Sequence, residues 1–304
     1  GPGAVFWCWM TGVLGIATCY AECFLSAKYK VKGTDGSYTG GPMYVMEKVL
    51  HQKSAAVIFA VSTILASLGM GSSVQAHSIR AAVQVQYPAS SSIIGIVAAF
   101  LVGAVILGGA KQISKVCTYL VPLMSLFYFG GCLLLIWINR AYLGATFAVI
   151  VRSAFTSKSV VGGLAGTAVM GGMRTGISKG LFTNEAGLGS IPMTAAASRI
   201  ESPVKQGLIS MTGPFWDTVV MCAITGIAIV SSMLREPEMY AKAADDQLCF
   251  LAFAGLPVNG SLLLSISLVL FAYASIIGWS YYGECAAQYL WGKEKILPYR
   301  IAYI

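Results

Sequence analysis

The chain has 304 residues, of which 57% are hydrophobic and only 11% are charged, and its formal net charge is +8. Because ordinary soluble domains carry about 25% charged residues, this composition argues against a soluble globular enzyme and excludes an intrinsically disordered chain. The cations are spread thinly between apolar runs without a basic stripe, so the positive charge does not indicate a nucleic-acid partner. We therefore expect an integral membrane protein.

Apolar runs, taken in chain order, predict seven membrane segments, since a spanning helix needs about 20 apolar residues. Six of the runs are long enough to span and contain no charged residue except Asp217. These six runs are residues 4–21, 54–76, 91–110, 116–138, 206–234 and 258–283.

The fifth segment in chain order differs from the other six. Residues 160–173 and 186–198 are uncharged but each is too short to span, and residues 174–185 between them are rich in polar side chains and glycine. Two short helical pieces around such a break are typical of a discontinuous helix in a secondary transporter. The alternative is two interfacial segments with a loop, which would leave backbone polar groups unsatisfied at membrane depth.

The loops between these segments divide by charge. If the segments alternate in direction, one set of loops carries twelve lysines and arginines (28–53, 111–115, 199–205, 284–304) and the other carries six (78–90, 139–159, 232–257). The positive-inside rule places the first set in the cytoplasm and the N-terminus outside. Because the chain opens with Gly1-Pro2-Gly3-Ala4 and no leader, we expect a missing upstream helix and a longer parent protein.

Polar side chains inside apolar runs are costly and often functional. For Asp217 we expect either coupling to a cation or a structural role, in which it pairs with a buried arginine or with backbone donors. Glu22 ends its run and predicts a snorkelling boundary residue. Gln75 has donors and an acceptor, which suits either a polar ligand in a dry pocket or an interhelical hydrogen bond. His77 is expected either to face the outer vestibule or to act in a proton relay.

Ser275 and Trp279 are four residues apart and therefore share one helix face. The hydroxyl oxygen suits a cation or an amine, and the indole ring suits closure of a small site. The alternative is an aromatic belt at the membrane interface, which Tyr281 and Tyr282 fit well.

The eight cysteines lie mostly inside apolar runs, and the chain has only two histidines. Cys19 and Cys23 share a helix face, but no nearby histidine or second cysteine pair completes a metal site. An intramembrane hydrolase needs an activated serine beside a histidine or paired acids, whereas both histidines lie at segment ends. We expect no enzymatic activity and no cofactor.

Three stretches carry a resemblance that extends over nearly the whole chain. Residues 3–10 (GAVFWCWM) are similar to the signature Gly-Ala-x-Phe-Trp-Met-Trp, with Cys8 in place of the usual methionine. Residues 40–44 (GGPMY) and 179–190 (KGLFTNEAGLGS) follow in the same order, and residues 278–284 add a weaker match. The family that these stretches resemble is the alanine or glycine:cation symporters, also called sodium:alanine symporters.

This resemblance implies an all-α integral membrane protein with the five-plus-five inverted-repeat transporter fold. Residues 1–304 would form a single transmembrane domain that lacks the first and the last helices of that fold. The implied activity is sodium-coupled symport of alanine or glycine by alternating access, in the cell membrane of a bacterium or archaeon. The coupling ion would be sodium, with no other metal. The alternatives are a proton-coupled amino-acid transporter and a channel or scaffold.

The resemblance also implies the site. The substrate-binding residues would be Gln75 of the third helix, Phe182, Thr183 and Asn184 of the unwound sixth helix, and Ser275 and Trp279 of the eighth. Gly180, Gly187 and Gly189 would form the backbone of the break, with free N–H and C=O groups over residues 182–187. Ser275 would also bind sodium; it stands where the family often has threonine, so the hydroxyl is kept and one methyl group is lost.

Overall fold

A computed structural model of the chain describes residues 1–33, 36–155, 165–241, 243–244 and 247–304. Nearly all regular structure in these residues is helical. The helices are α1 (Gly3–Lys28), α2 (Pro42–Lys48), α3 (Lys53–Gln86), α4 (Ser91–Ile106), α5 (Gly109–Ile138), α6 (Leu143–Phe155), α7 (Ala165–Asn184), α8 (Ile191–Ala197), α9 (Pro203–Arg235), α10 (Pro237–Tyr240), α11 (Leu248–Ala254), α12 (Gly260–Trp291) and α13 (Ile296–Tyr303). Two short strands, β1 (Val31–Lys32) and β2 (Tyr38–Thr39), pair antiparallel.

Within the described residues, five helices are long and apolar enough to cross a membrane: α1, α3, α5, α9 and α12. They confirm the prediction of a mostly helical membrane protein. The predicted run 91–110 is corrected, because α4 ends at Ile106 and is only 16 residues long. Gly109, with a φ of +71°, then starts α5 in a backbone conformation that favours glycine.

Part of the sequence prediction falls where the structure gives no description. Residues 160–164, with which the fifth predicted segment begins, lie outside the described residues. Lys158 and Lys242, two of the six cations in the second set of loops, also lie outside them. The discontinuous segment is therefore described from Ala165 onward.

Two of the long helices contain a π-helical segment, in which one extra residue widens the turn. In α3 the segment is Ser67–Ser73. In α9 it is Phe215–Cys222, which follows Pro214 directly. A proline has no N–H and its ring collides with the carbonyl four residues earlier, so the helix must adjust locally. Segments of this kind occur frequently at functional sites.

The chain forms two compact units. Unit 1 comprises residues 1–22, 129–191 and 207–261, and unit 2 comprises residues 23–128, 192–206 and 262–304. In unit 1, glycines let the helices approach closely: a Cβ atom on Gly12 would meet Thr218 Cγ2 at 2.9 Å, and one on Gly226 would overlap Val5. Asn139 joins helix ends in the same unit, since its Nδ2 donates to Ser232 Oγ at 2.9 Å.

Unit 2 has a buried apolar core formed by side chains of α3, α4, α5, α12 and α13. Its fully buried members include Ile106 and Ile277. A bidentate ion pair closes one end, where the Arg300 guanidinium donates two hydrogen bonds of 2.8 Å to the Glu284 carboxylate. This geometry is the strong form of the interaction, and it fixes α13 against the end of α12.

Candidate functional site

The break in the discontinuous segment is shorter than the sequence predicts. Helix α7 runs without interruption to Asn184, and α8 begins at Ile191. The backbone leaves helical geometry only at residues 185–190, where Glu185, Gly187 and Gly189 have φ values of +52°, +89° and +77°. Left-handed residues in close succession cannot continue a right-handed helix, so the chain turns here.

The predicted start of the unwound stretch is therefore wrong. Gly180, Phe182 and Thr183 lie in the last turns of α7, as does Asn184 at its end. Gly180 serves a different purpose, because a Cβ atom there would overlap Thr11 Oγ1 of α1. Gly180 therefore allows close packing of two helices rather than a break, which is a common use of small residues in membranes.

Side chains satisfy part of the backbone of the break. Asn184 Oδ1 accepts a hydrogen bond from the Ala186 N–H at 3.0 Å. Ser190 Oγ donates to Glu185 Oε2 at 2.6 Å, which ties the two ends of the turn together. The Gly187 N–H donates to Glu22 Oε2 of α1 at 3.1 Å. The break is thus a built turn with defined acceptors.

Glu22 is a residue whose role the sequence did not reveal. The prediction of a boundary residue is wrong, because α1 continues for six further residues to Lys28. Glu22 lies within α1, and its carboxylate accepts a hydrogen bond from the Gly187 N–H. In the sequence, Glu22 is an acidic residue that follows an uncharged run, and its charge was interpreted as the end of that helix.

One donor at the break is left open. Asn184 is only 3% exposed, and its Nδ2 has no hydrogen-bond partner among the residues that the structure describes. Leaving such a buried donor unsatisfied costs about 1–3 kcal/mol. A ligand with a carbonyl or carboxylate oxygen would remove that cost, so Asn184 Nδ2 suits the recognition of such a ligand.

The other predicted residues of unit 1 lie beside Asn184. Phe182 is 45% exposed. Thr183 Oγ1 donates to the Lys179 carbonyl oxygen at 2.8 Å within the helix and also contacts the Cys222 thiol. Cys222 belongs to the π-helical segment of α9 and shares a hydrogen bond with Cys8 of α1. A chain of polar contacts therefore links α1, α7 and α9.

Asp217 lies on the same π-helical segment of α9. Its Oδ2 accepts a hydrogen bond from Thr218 Oγ1 at 3.1 Å. The sequence offered a structural pairing with a buried arginine as one alternative, but no ion pair to Asp217 is found among the described residues. A carboxylate that lacks a fixed cation partner keeps the capacity to bind a mobile cation or a proton.

Gln75, Ser275 and Trp279 all lie in unit 2 and are half-buried. Gln75 follows the π-helical segment of α3, while Ser275 and Trp279 lie on α12. The two helices meet closely at Gly71, where a Cβ atom would overlap Trp279 Cβ. Trp279 also packs edge-on against Tyr282, with ring centroids 5.4 Å apart. The structure thus brings the tryptophan against the segment that precedes Gln75.

The second half of the discontinuous segment, α8, is held within unit 2 by the glycine-rich run 40–43. A Cβ atom on Gly40 would meet Ala196 Cβ at 2.6 Å, and Gly41 has a φ of +123°. Ser26 Oγ donates to the Pro192 carbonyl oxygen at 2.7 Å. Lys30 Nζ donates to two carbonyl oxygens beyond the end of α8 at 2.9 Å each, which is the favourable location for a cation.

Helix α2, which follows this run, is attached through its tyrosine and its glutamate. The Tyr44 ring packs edge-on against Tyr289 with centroids 5.3 Å apart, and the Tyr289 hydroxyl donates to Glu47 Oε2 at 2.7 Å. Burial raises the pKa of Tyr44 above its usual value. The Tyr44 phenol therefore stays protonated at physiological pH.

The whole sequence of the chain is similar to that of known transporters. The model of the sodium:alanine symporter family matches residues 1–304. The chain is 41% identical over 308 residues to the sodium/alanine symporter AgcS of Methanococcus maripaludis, and 32% identical over 308 residues to the amino-acid carrier protein AlsT of Bacillus subtilis. Each match covers 100% of this chain, and 67% and 64% of the two relatives, so the chain spans about two thirds of their length.

Proposed function

The chain belongs to the sodium:alanine symporter family, and on that premise we propose that it carries out sodium-coupled symport of a small neutral amino acid, alanine or glycine. The family and the five apolar helices confirm the prediction of a multi-pass cell membrane protein. We further propose that residues 1–304 form one transporter domain of the five-plus-five inverted-repeat type, working by alternating access. The observation that carries the proposal is the family match over the whole chain.

The turn at residues 185–190 gives this function a chemical basis. An amino-acid substrate presents a carboxylate, which needs N–H donors in a site that excludes water. The open, buried Nδ2 of Asn184 supplies one such donor beside a backbone that has left helical geometry. Phe182 and Thr183 on the last turn of α7 would contact the substrate, and the backbone around Gly187 and Gly189 would line the break.

The remaining binding groups that we propose are Gln75, Ser275 and Trp279. We assign an amide contact with the substrate to Gln75 and closure over its side chain to Trp279. Ser275 would supply a hydroxyl oxygen to substrate or sodium, since sodium takes oxygen ligands. Sodium entry provides about 2.3 kcal/mol per charge for each 100 mV of membrane potential, in addition to its concentration gradient.

Uptake into proteoliposomes tests the proposal. The full encoded protein is reconstituted with potassium inside, and uptake of labelled alanine is measured with sodium, lithium or potassium outside. We expect concentrative uptake with sodium and little with potassium. Uptake that does not depend on sodium would reject sodium coupling. Competition by unlabelled glycine, alanine, serine and glutamine then ranks the substrates.

Glutamine is included because the names of relatives differ in substrate. A protein of Bacillus subtilis named "Probable sodium/glutamine symporter GlnT" is 34% identical over 305 residues, which are 100% of this chain and 62% of that protein. Ser275 has one methyl group less than the threonine that the family often has at this position. We propose alanine or glycine, and competition by glutamine alone would contradict that choice.

Proton coupling is the second candidate, and Asp217 is the observation that favours it. Its carboxylate lies in a membrane-spanning helix, and its hydrogen bond among the residues that the structure describes comes from the Thr218 hydroxyl. If protons drive transport, an inwardly directed proton gradient, with the outside more acidic, supports uptake without sodium, and Asp217→Asn abolishes that uptake. If sodium drives transport, the pH gradient alone has no effect.

A further inference from the structure

A cavity of about 290 Å³ lies within unit 2 and is lined by the C-terminal part of α3, by α4, by Ile276 of α12 and by Tyr303 of α13. Its volume is at the lower end of the range for pockets that hold small ligands. His77 and Arg80 form its polar end. Gly95, Ala98 and Val102 of α4 form part of its apolar wall, so the cavity is charged at one end and apolar along its length.

The charged end has an unused donor. Arg80 Nη2 bonds to His77 Nδ1 at 3.1 Å, which holds the guanidinium in place. Its Nε is buried and has no hydrogen-bond partner among the residues that the structure describes. A guanidinium remains charged at any relevant pH, and its best partners are the oxygens of carboxylates and phosphates. The Arg80 Nε–H at this end of the cavity is therefore a donor that suits an oxyanion.

Arg80 lies near the end of the candidate membrane-spanning helix α3. It lies six residues before the end of α3 at Gln86, which is about 9 Å along the helix axis. The next helix begins at Ser91, so the two helices turn back close by. The polar layers of a bilayer occupy the ends of its spanning helices, and lipid phosphates lie in those layers.

The apolar wall continues onto a face that lipid can reach. Gly95, Ala98 and Val102 recur at helical spacing on the cavity side of α4. Leu101, three residues after Ala98 and therefore beside it on the helix surface, is 49% exposed. In a membrane protein such side chains contact acyl chains, so an apolar tail can extend from the cavity along α4. We propose that this cavity binds an anionic membrane lipid, with its phosphate on Arg80 and its glycerol and upper acyl carbons against α4.

The experiment titrates dioctanoyl phosphatidylglycerol into the full encoded protein in detergent and counts bound lipid by native mass spectrometry. Dioctanoyl phosphatidylcholine and inorganic phosphate are the comparison probes. We expect phosphatidylglycerol to bind more tightly than phosphatidylcholine. Arg80→Gln weakens phosphatidylglycerol binding at least about tenfold, because a charge-assisted hydrogen bond is lost. Arg80→Lys keeps the charge without the Nε donor and gives a smaller loss.

Two further variants keep the proposal testable if Arg80→Gln fails to fold. Ala98→Leu fills the apolar part of the cavity without touching a charge, and it also weakens phosphatidylglycerol binding. Arg152→Gln removes an exposed arginine of α6 and leaves binding unchanged. Equal lipid binding by the wild type, Arg80→Gln and Ala98→Leu overturns the proposal. Inorganic phosphate binding as tightly as phosphatidylglycerol also overturns it, since the site would then serve a soluble anion.

Discussion

Two glycine-rich stretches interrupt apolar sequence in this protein, and they fold differently. Residues 67–73 of α3 contain two glycines and three serines, yet the helix continues through them as a π-helical segment. Residues 185–190 contain two glycines as well, and there the helix stops. Glycine content alone therefore does not decide whether a membrane helix breaks.

The neighbours of each stretch explain the difference. Gly71 packs against Trp279, and a Cβ atom on Gly71 would overlap the tryptophan side chain. The helix continues here because glycine leaves the space that Trp279 occupies. At the break the acceptors come from side chains: Glu22 takes the Gly187 amide and Asn184 takes the Ala186 amide. Because side chains accept these backbone N–H groups, the groups are satisfied without helical hydrogen bonds, and a turn is tolerated within the membrane.

The largest expected effect concerns the continuous stretch. Gly71→Ala places a methyl group on Trp279, and such overpacking costs about 1–3 kcal/mol. Gly69→Ala in the same segment meets no atom within 4 Å, and we expect it to be neutral or slightly stabilising. Thermal unfolding of the two variants in one detergent measures the difference. Equal midpoints would show that Trp279 does not hold the segment.

The next effect concerns the open donor at the break. Asn184→Asp keeps the oxygen that accepts the Ala186 amide but replaces the Nδ2 donor with a second acceptor. We expect KM for the amino acid to rise at least about tenfold, which corresponds to about 1.4 kcal/mol, and the thermal midpoint to fall because the new carboxylate is buried without a cation partner. Thr118→Val is the control, because its hydroxyl bonds to the Ser114 carbonyl oxygen within α5 and Thr118 is not among the proposed substrate contacts. A normal KM for Asn184→Asp would remove that amide from the site.

An effect of similar size is expected from the backbone of the break. Gly187→Ala requires an alanine at a φ of +89°, which costs roughly 1–2 kcal/mol, although the nearest atom to the new methyl group is 3.8 Å away. Gly187→Asn costs less, because asparagine tolerates left-handed backbone better. Thermal unfolding of both variants measures this order. The reverse order would mean that crowding, rather than φ, makes glycine necessary there.

The sequence predicted the membrane class, the approximate spans and the existence of a break, because all three follow from the distribution of charge. It misplaced the start of the break by several residues. Gly180 and Gly187 look alike in the sequence, but one packs against Thr11 and the other adopts a positive φ. That distinction depends on contacts between distant residues, as does the partnership of Glu22 with Gly187, and no local pattern encodes either.

The smallest effect tests whether Glu22 supports the break. Glu22→Gln keeps an oxygen that can accept the Gly187 amide but removes its charge, so the partly exposed hydrogen bond weakens by about 0.5–1 kcal/mol. Hydrogen exchange of a peptide covering residues 185–190 should then become about two- to fivefold faster, while a peptide from α12 exchanges as before. Glu22→Ala removes the acceptor and should accelerate exchange further. Unchanged exchange in both variants would mean that Ser190 and Asn184 alone hold the turn, and that the difference between the two glycine-rich stretches does not depend on α1.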